Sequence, residues 1–199
     1  RSTRLFEATS EYIASLNPER DLDARILECH ARRALEILSS GEAEIGVIRF
    51  RAEYRDYFEE QTAQRELSLQ ILSKYRYVLI LPQSHPLAER PAIRMSELEG
   101  FAEIVHGDSL RAHGRQQNVA CRKIYTVDRM AQLTLLQRLP GAYMWGPEMP
   151  EALVERWGLV QRTCLDNQTV YHNAIILHPR YVMTEIESGY VQHILEHCK

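Results

Sequence analysis

The sequence lacks any apolar run near the roughly 18 residues that a membrane-spanning helix needs, and it has no signal-peptide-like apolar core. It opens on Arg1-Ser2-Thr3-Arg4 and runs straight into a periodic pattern, as a fragment does. It has no basic stripe: the net charge is −3, which argues against a nucleic-acid-binding module. There is no G-x-S-x-G, no phosphate-binding P-loop and no G-x-G-x-x-G. No Ser-His-Asp arrangement is set out by spacing. The expectation is therefore a protein that is neither an enzyme nor a membrane span. Cysteine is sparse. Cys29, Cys121, Cys164 and Cys198 form no C-x-x-C pair and no zinc-finger spacing. They read as reduced thiols of a cytoplasmic protein. Cys121 alone is followed by cations, Arg122 and Lys123, the local setting of a reactive thiol.

What is present is ordinary for a globular chain. Of 199 residues, 45% are hydrophobic and 26% charged, enough for one full core or two small ones. The chain is organised around Tyr75 to Ala88, YRYVLILPQSHPLA. Its apolar and aromatic run reads as a buried strand ended by Pro82. The polar, proline-bracketed residues after it read as a connection between domains.

Before that stretch, Leu5, Ala8, Thr9, Tyr12, Ile13 and Leu16 recur at helical spacing, predicting a helix over 3–16 stopped by Asn17-Pro18. Leu22, Ala24 and Ile26 alternate with charged residues, predicting a strand. A second helix around Ala34 to Leu38 ends at Ser39-Ser40-Gly41. Ile45 to Phe50 reads as a strand of a parallel sheet. Residues 51–66 read as a surface loop or short exposed helix, and Leu67 to Leu72 begins another strand. After the connection the rhythm repeats. A short helix at Met95 to Leu98 leads to a strand, Phe101 to Val105, and an exposed helix, Leu110 to Asn118. Then come a strand at Lys123 to Thr126, a helix at Val127 to Gln137 and a strand at Ala142 to Trp145. A helix over Glu148 to Trp157 and a strand at Leu159-Val160 close the series. Val170 to Leu177 is a last strand and Thr184 to His197 a last helix. Such alternation predicts an α/β fold.

Four segments in order resemble the effector-binding domain of LysR-type transcription regulators: ALEILSSGEAEIGVI at 34–48, LILPQSHPLA at 79–88, IRMSELEGFAEIV at 93–105, and the glycine turn, strand and proline of 139–163. The match departs in three places. The family's strand before the first helix is missing, Glu44 stands for the usual aspartate, and Pro140-Gly141-Ala142 replaces a G-x-G-I. The resemblance implies two Rossmann-like lobes joined by a two-crossover hinge, as in type 2 periplasmic binding proteins. Lobe I would be residues 1–83 plus 168–199, and lobe II residues 84–167. His85 would then be a linker residue.

The function so implied is ligand sensing and oligomerisation within a LysR-type regulator. A small-molecule effector would bind in the inter-lobe cleft. DNA would be reached through an N-terminal domain outside this chain. The chain would pair as a homodimer or higher homo-oligomer, with the helices at 31–40 and 110–118 as interface candidates. The alternative is the solute-binding receptor of a transporter with the same fold. No cofactor and no metal are expected. His193 and His197 in H-I-L-E-H are not the zincin order and read as a solvated face.

The resemblance places effector contacts at strand carboxyl ends and helix N-termini, where free N–H groups favour anions. That selects Ser2 and Thr3, which serve equally as plain N-caps. It selects Arg49, suited to a bidentate carboxylate, and Phe50 beside it. It also selects two turns, His106-Gly107-Asp108 and Thr126-Val127-Asp128. Asp128 would repel an anion and suit an amine or hydroxyl. Trp145 ends a strand and either floors the pocket or belongs to the core.

Overall fold

The computed structural model describes residues 3–107 and 122–197. The first helix, α1 (Thr3–Ser15), buries Ala8 and Thr9. It ends where Asn17 folds the chain back, its side chain accepting from the N–H of Glu19 at 3.0 Å. Residues 21–30 have no regular structure and are almost wholly exposed. The strand expected at Leu22 to Ile26 is therefore absent. Alternation suits a strand, but a strand needs a ladder partner. Leu22 and Ile26 stay 44% and 51% exposed.

Helix α2 (Ala31–Ser40) starts at His30, whose ring nitrogen accepts from the N–H of Arg33, and stops at Gly41, φ 75°. Only glycine adopts that conformation cheaply. Strand β1 (Ile45–Arg51) follows, with a Gly46 that lets Leu38 pack closely: a Cβ there would lie 2.5 Å from Leu38 Cδ1. Helix α3 (Arg55–Ala63) occupies the segment read as loop or short helix, and β2 (Ser68–Arg76) completes this stretch.

The chain now enters a second compact unit, Arg76–Gln168. Strand β3 (Val78–Pro82) is buried at every residue. Beyond it lie β4 (Ala92–Ile93), a short 3-10 turn at Met95–Leu98, β5 (Ala102–His106), β6 (Arg122–Thr126), α4 (Arg129–Arg138), β7 (Ala142–Gly146), α5 (Glu151–Arg156) and β8 (Leu159–Cys164). The chain then returns to the first unit, Arg1–Tyr75 with Thr169–Lys199, as β9 (Val170–Leu177) and α6 (Glu185–His197).

In the first unit the sheet order is β1-β9-β2. β1 and β9 are antiparallel, with Arg49 opposite Asn173 and Phe50 opposite His172. A parallel neighbour for β1 was expected; the strand that pairs with it is the returning one. Leu35, Leu38, Ile48, Phe50, Phe58, Ala174 and Ile176 form its core. α1 and α6 make a second layer through Ala8 and Ile194. Each Leu, Ile or Phe among them contributes about 1.5–3 kcal/mol when fully buried.

In the second unit the order is β4-β8-β3-β7-β5-β6. β3 runs antiparallel to β7 and β8, whereas β5 runs parallel to both β6 and β7. Val78 and Ile80 face one cluster, with α4; Leu79 and Leu81 face the other. β3 hydrogen-bonds to these strands and belongs to the second compact unit, which begins at Arg76. The HPLA stretch is accordingly not a connection between units. His85 is 3% exposed, and its Nδ1 accepts from the N–H of Leu87 at 3.0 Å. Its ring centroid lies 4.5 Å from that of Phe101. Two prolines bracket a tight turn here, which a sequence reading takes for a linker. No helix among the described residues is long and apolar enough to cross a membrane.

Candidate functional site

In the first unit, β9 lies between β1 and β2, so Asn173 is flanked by both neighbours. Its Oδ1 accepts from Arg49 Nε at 3.3 Å and from the Tyr75 hydroxyl at 2.9 Å. Its Nδ2 donates to Ser73 Oγ at 3.1 Å. The Arg49 guanidinium carbon sits 5.7 Å from the Tyr75 ring centroid, a cation–π distance. Tyr75 stacks on Tyr171 at 6.3 Å. Beside this group, Arg51 reaches Glu53 at 3.3 Å. Burial disfavours its charge, but Tyr171 and Glu53 overcome that and hold its pKa above the ordinary value. Arg49 is thus a half-buried cation held by the Asn173 amide and lying over the Tyr75 ring, across three strands.

Phe50 lies elsewhere. It is 5% exposed, stacked on Phe58 at 4.6 Å and edge-on to His172 at 5.7 Å. It belongs to the core. His172 is buried, and desolvation together with Lys74 and Arg55 lowers its pKa, which favours the neutral ring. Thr3 opens α1, with its Oγ1 buried and without a hydrogen-bond partner. Ser2 lies outside the described residues.

In the second unit the parallel register brings His106 directly beside Thr126. The two turns that follow press together: a Cβ on Gly107 would lie 2.5 Å from Val127 Cγ1. Asp128 caps α4, its Oδ1 accepting from the N–H of Ala131 at 2.7 Å. Thr126 Oγ1 accepts from the N–H of Asp128 at 3.4 Å. His106, Gly107, Thr126, Val127 and Asp128 are thus brought together at adjoining strand ends. Trp145 is not with them in the α4 layer; it packs with Leu79, Leu81 and Tyr143. Asp108 lies outside the described residues, as do the helix expected at 110–118, Cys121 and Cys198.

A half-buried ion pair, Lys123 to Glu103 at 3.2 Å, crosses from β6 to β5. Burial, and then the Glu103 charge, push the neighbouring Tyr143 hydroxyl well above the usual range. Among the described residues no three His, Cys, Asp or Glu are grouped to hold a metal. His193 and His197 stack at 4.0 Å. Cys164 is buried, and desolvation raises its thiol pKa, the opposite of a reactive cysteine.

Ser73, Tyr75, Tyr171 and Asn173 were not among the expected site residues. The available signal was Asn173, an amide inside β9 directly before its apolar AIIL run. A polar group there needs partners.

The LysR substrate binding domain family matches residues 18–197. The chain belongs to that family and consists of the domain the family describes, which is a part of transcriptional regulators rather than enzymes. Similar solved structures agree in fold. The effector binding domain of QuiR in complex with shikimate is 12% identical, covers 96% of this chain and 88% of its own, and superposes with a TM-score of 0.64. The regulatory domain of MetR, a LysR family regulator from N. meningitidis, is 17% identical over 98% of this chain and 87% of its own, with a TM-score of 0.59. HinK, a LysR family regulator from Pseudomonas aeruginosa, is 13% identical over 98% of this chain and 66% of its own, with a TM-score of 0.64. No curated protein matches in sequence. The fold is that of the type 2 periplasmic-binding-protein-like effector domains, and the family match favours the regulator over the transporter receptor.

Proposed function

We propose that this domain senses a small carboxylate effector, in a cytoplasmic LysR-type regulator. The observation that carries the reading is the Arg49 cluster. A guanidinium held by Asn173 and lying over Tyr75 is the donor geometry that carboxylates take. The first unit carries this cationic group. The second carries a candidate set of its own, His106, Gly107, Thr126, Val127 and Asp128. There the Asp128 carboxylate already occupies the N-terminus of α4, so an amine or hydroxyl of the ligand suits that side. QuiR, whose effector binding domain was solved with shikimate, supports a small organic acid as the class. Thr3, at the start of α1, is a further contact.

The switch is a population shift between arrangements of the two units. The effector moves it only by binding one arrangement more tightly. The domain also assembles the regulator as a homo-oligomer, and DNA is bound by a part outside this chain. The exposed side of α2 is charged, with Arg33 and Glu36 paired at 3.1 Å. That favours polar rim contacts over an apolar seam for this helix.

The test is a thermal-shift screen with millimolar carboxylates, shikimate included, and amines. A ligand at a hundredfold its Kd stabilises by about 2.7 kcal/mol. A carboxylate that raises the Tm of the wild type and not of Arg49→Gln supports the reading. An equal rise in both removes Arg49 from the site.

A further inference from the structure

Asn173 does something that no general β-sheet role requires. One side-chain oxygen accepts from Arg49 at 3.3 Å and from Tyr75 at 2.9 Å. The amide nitrogen of the same group donates to Ser73 at 3.1 Å. Ser73 and Tyr75 are among the last residues of the first unit before the chain leaves it, and Tyr171 and Asn173 are among the first after it returns at Thr169. The outgoing and returning segments are therefore tied to each other through this side chain, and Arg49 is tied to both.

We infer that Asn173 is a positioning and specificity-determining residue: it aims the Arg49 cation and links its occupancy to both crossing segments. The inference rests on the carboxylate-sensing reading above and names what regulates that site. Two physical points carry it. An amide oxygen fixes a guanidinium without cancelling its charge, whereas a carboxylate at the same position would cancel it. Asn173 therefore holds Arg49 without adding a negative charge beside it. Secondly, an acceptor shared by two donors makes the donors interdependent. When a ligand carboxylate draws on Arg49, the hold of Asn173 on Tyr75 changes with it. Tyr75 also stacks on Tyr171, so the change reaches both segments at once.

The experiment uses the full chain with benzoate and its neutral isostere benzamide as probes, read by thermal shift and titration. Asn173→Asp is the decisive variant, because it keeps the shape and adds a charge. The wild type prefers benzoate; Asn173→Asp loses that preference by about tenfold or more. A folded Asn173→Asp that keeps the full preference for benzoate overturns the inference and leaves the sensing reading standing. No response of the wild type to benzoate or any other carboxylate removes both. Tyr75→Phe supplies a second readout that a merely structural role would not move. It keeps the Arg49 charge and removes one donor from Asn173. Exchange is compared at saturating benzoate for each protein, so that a change in Kd does not enter the comparison. In Tyr75→Phe the effect of bound benzoate on amide hydrogen exchange at 73–76 and 169–173 is lost. Unchanged ligand-dependent exchange there in Tyr75→Phe overturns the link to the crossing segments.

Discussion

Arg49 and Phe50 are consecutive on one strand and stand on opposite faces of the same sheet. Phe50 is stacked on Phe58 in the core; Arg49 is bonded to Asn173. A strand turns successive side chains to opposite faces. The two therefore separate a core contact from a polar cluster.

Phe50→Ala costs about 3–5 kcal/mol, because it opens a cavity among Phe58, His172 and Leu35. Arg49→Gln changes stability by about 1 kcal/mol or less, since the position is half-exposed and an amide remains there. Urea denaturation midpoints check both. A large loss for Arg49→Gln with little for Phe50→Ala would reverse the assignment of the two faces.

The order of elements was largely legible in the sequence, because periodicity reports which face is buried. β3 shows why. Its run VLIL is apolar throughout and is buried on both sides, so the pattern needed no partner to be read. Leu22 to Ile26 shows the limit. Its alternation is equally clear, yet among the described residues no strand pairs with it, and a period of two cannot supply a ladder. His85 shows another limit. A proline-bracketed polar stretch has one composition whether it links domains or closes a turn; only the Phe101 ring against it decides. Val127 and Met130, which share helical spacing with Leu133 and Leu136, are nevertheless 62% and 55% exposed. The helix starts at Arg129 and turns Leu133 and Leu136 inward. At the site, Arg49 was legible as a cation ending a buried strand. Its partner Asn173 was not, because the register that joins residues so far apart in sequence is absent from local spacing.

Gly189 makes room for Tyr12. A Cβ at 189 would lie 2.4 Å from the Tyr12 hydroxyl oxygen, which is itself fixed by donating to the Ile186 carbonyl at 2.6 Å. Gly189→Ala therefore destabilises by about 1–3 kcal/mol through overpacking, despite the better helix propensity of alanine. Adding Tyr12→Phe removes the clashing oxygen and recovers part of the loss. A double-mutant cycle measures this as a favourable interaction between the two changes. Simple additivity would show that the clash relaxes elsewhere.

Glu187 and Thr184 form a reciprocal cap at the start of α6. Thr184 N–H donates to Glu187 Oε2 at 2.7 Å, and Glu187 N–H donates to Thr184 Oγ1 at 3.3 Å. Tyr181 donates its hydroxyl to Glu187 Oε1 at 2.6 Å, which pushes the tyrosine pKa up to about 12. Burial works to raise the Glu187 pKa, but the Tyr181 and Thr184 donors outweigh it and hold the carboxyl below its usual 4.5. A depressed carboxylate stabilises the fold above its unfolded pKa, and that contribution is lost as pH falls through the folded value. Glu187→Gln should lower the Tm at pH 7, with a deficit that shrinks toward pH 3. A deficit independent of pH would mean that the charge plays no part in the cap.

The buried histidines set the pH response in the neighbouring range. Desolvation lowers the His85 pKa from the ordinary 6.5, with the Gly141 carbonyl only partly offsetting it, and burial lowers His172 in the same direction. Below pH 6.5 the unfolded chain takes up protons that the folded chain refuses, so the unfolded state binds more protons and stability falls with falling pH. The loss begins near 6.5 and ends once pH passes the folded values. His85→Gln keeps an acceptor within reach of the Leu87 N–H and removes the titration. The variant should be less stable than the wild type at pH 8, because the ring no longer packs on Phe101. The gap should narrow between pH 7 and 5. Melting temperatures of the two proteins across that range check it: parallel curves would assign the acid sensitivity to His172 or to groups outside this turn.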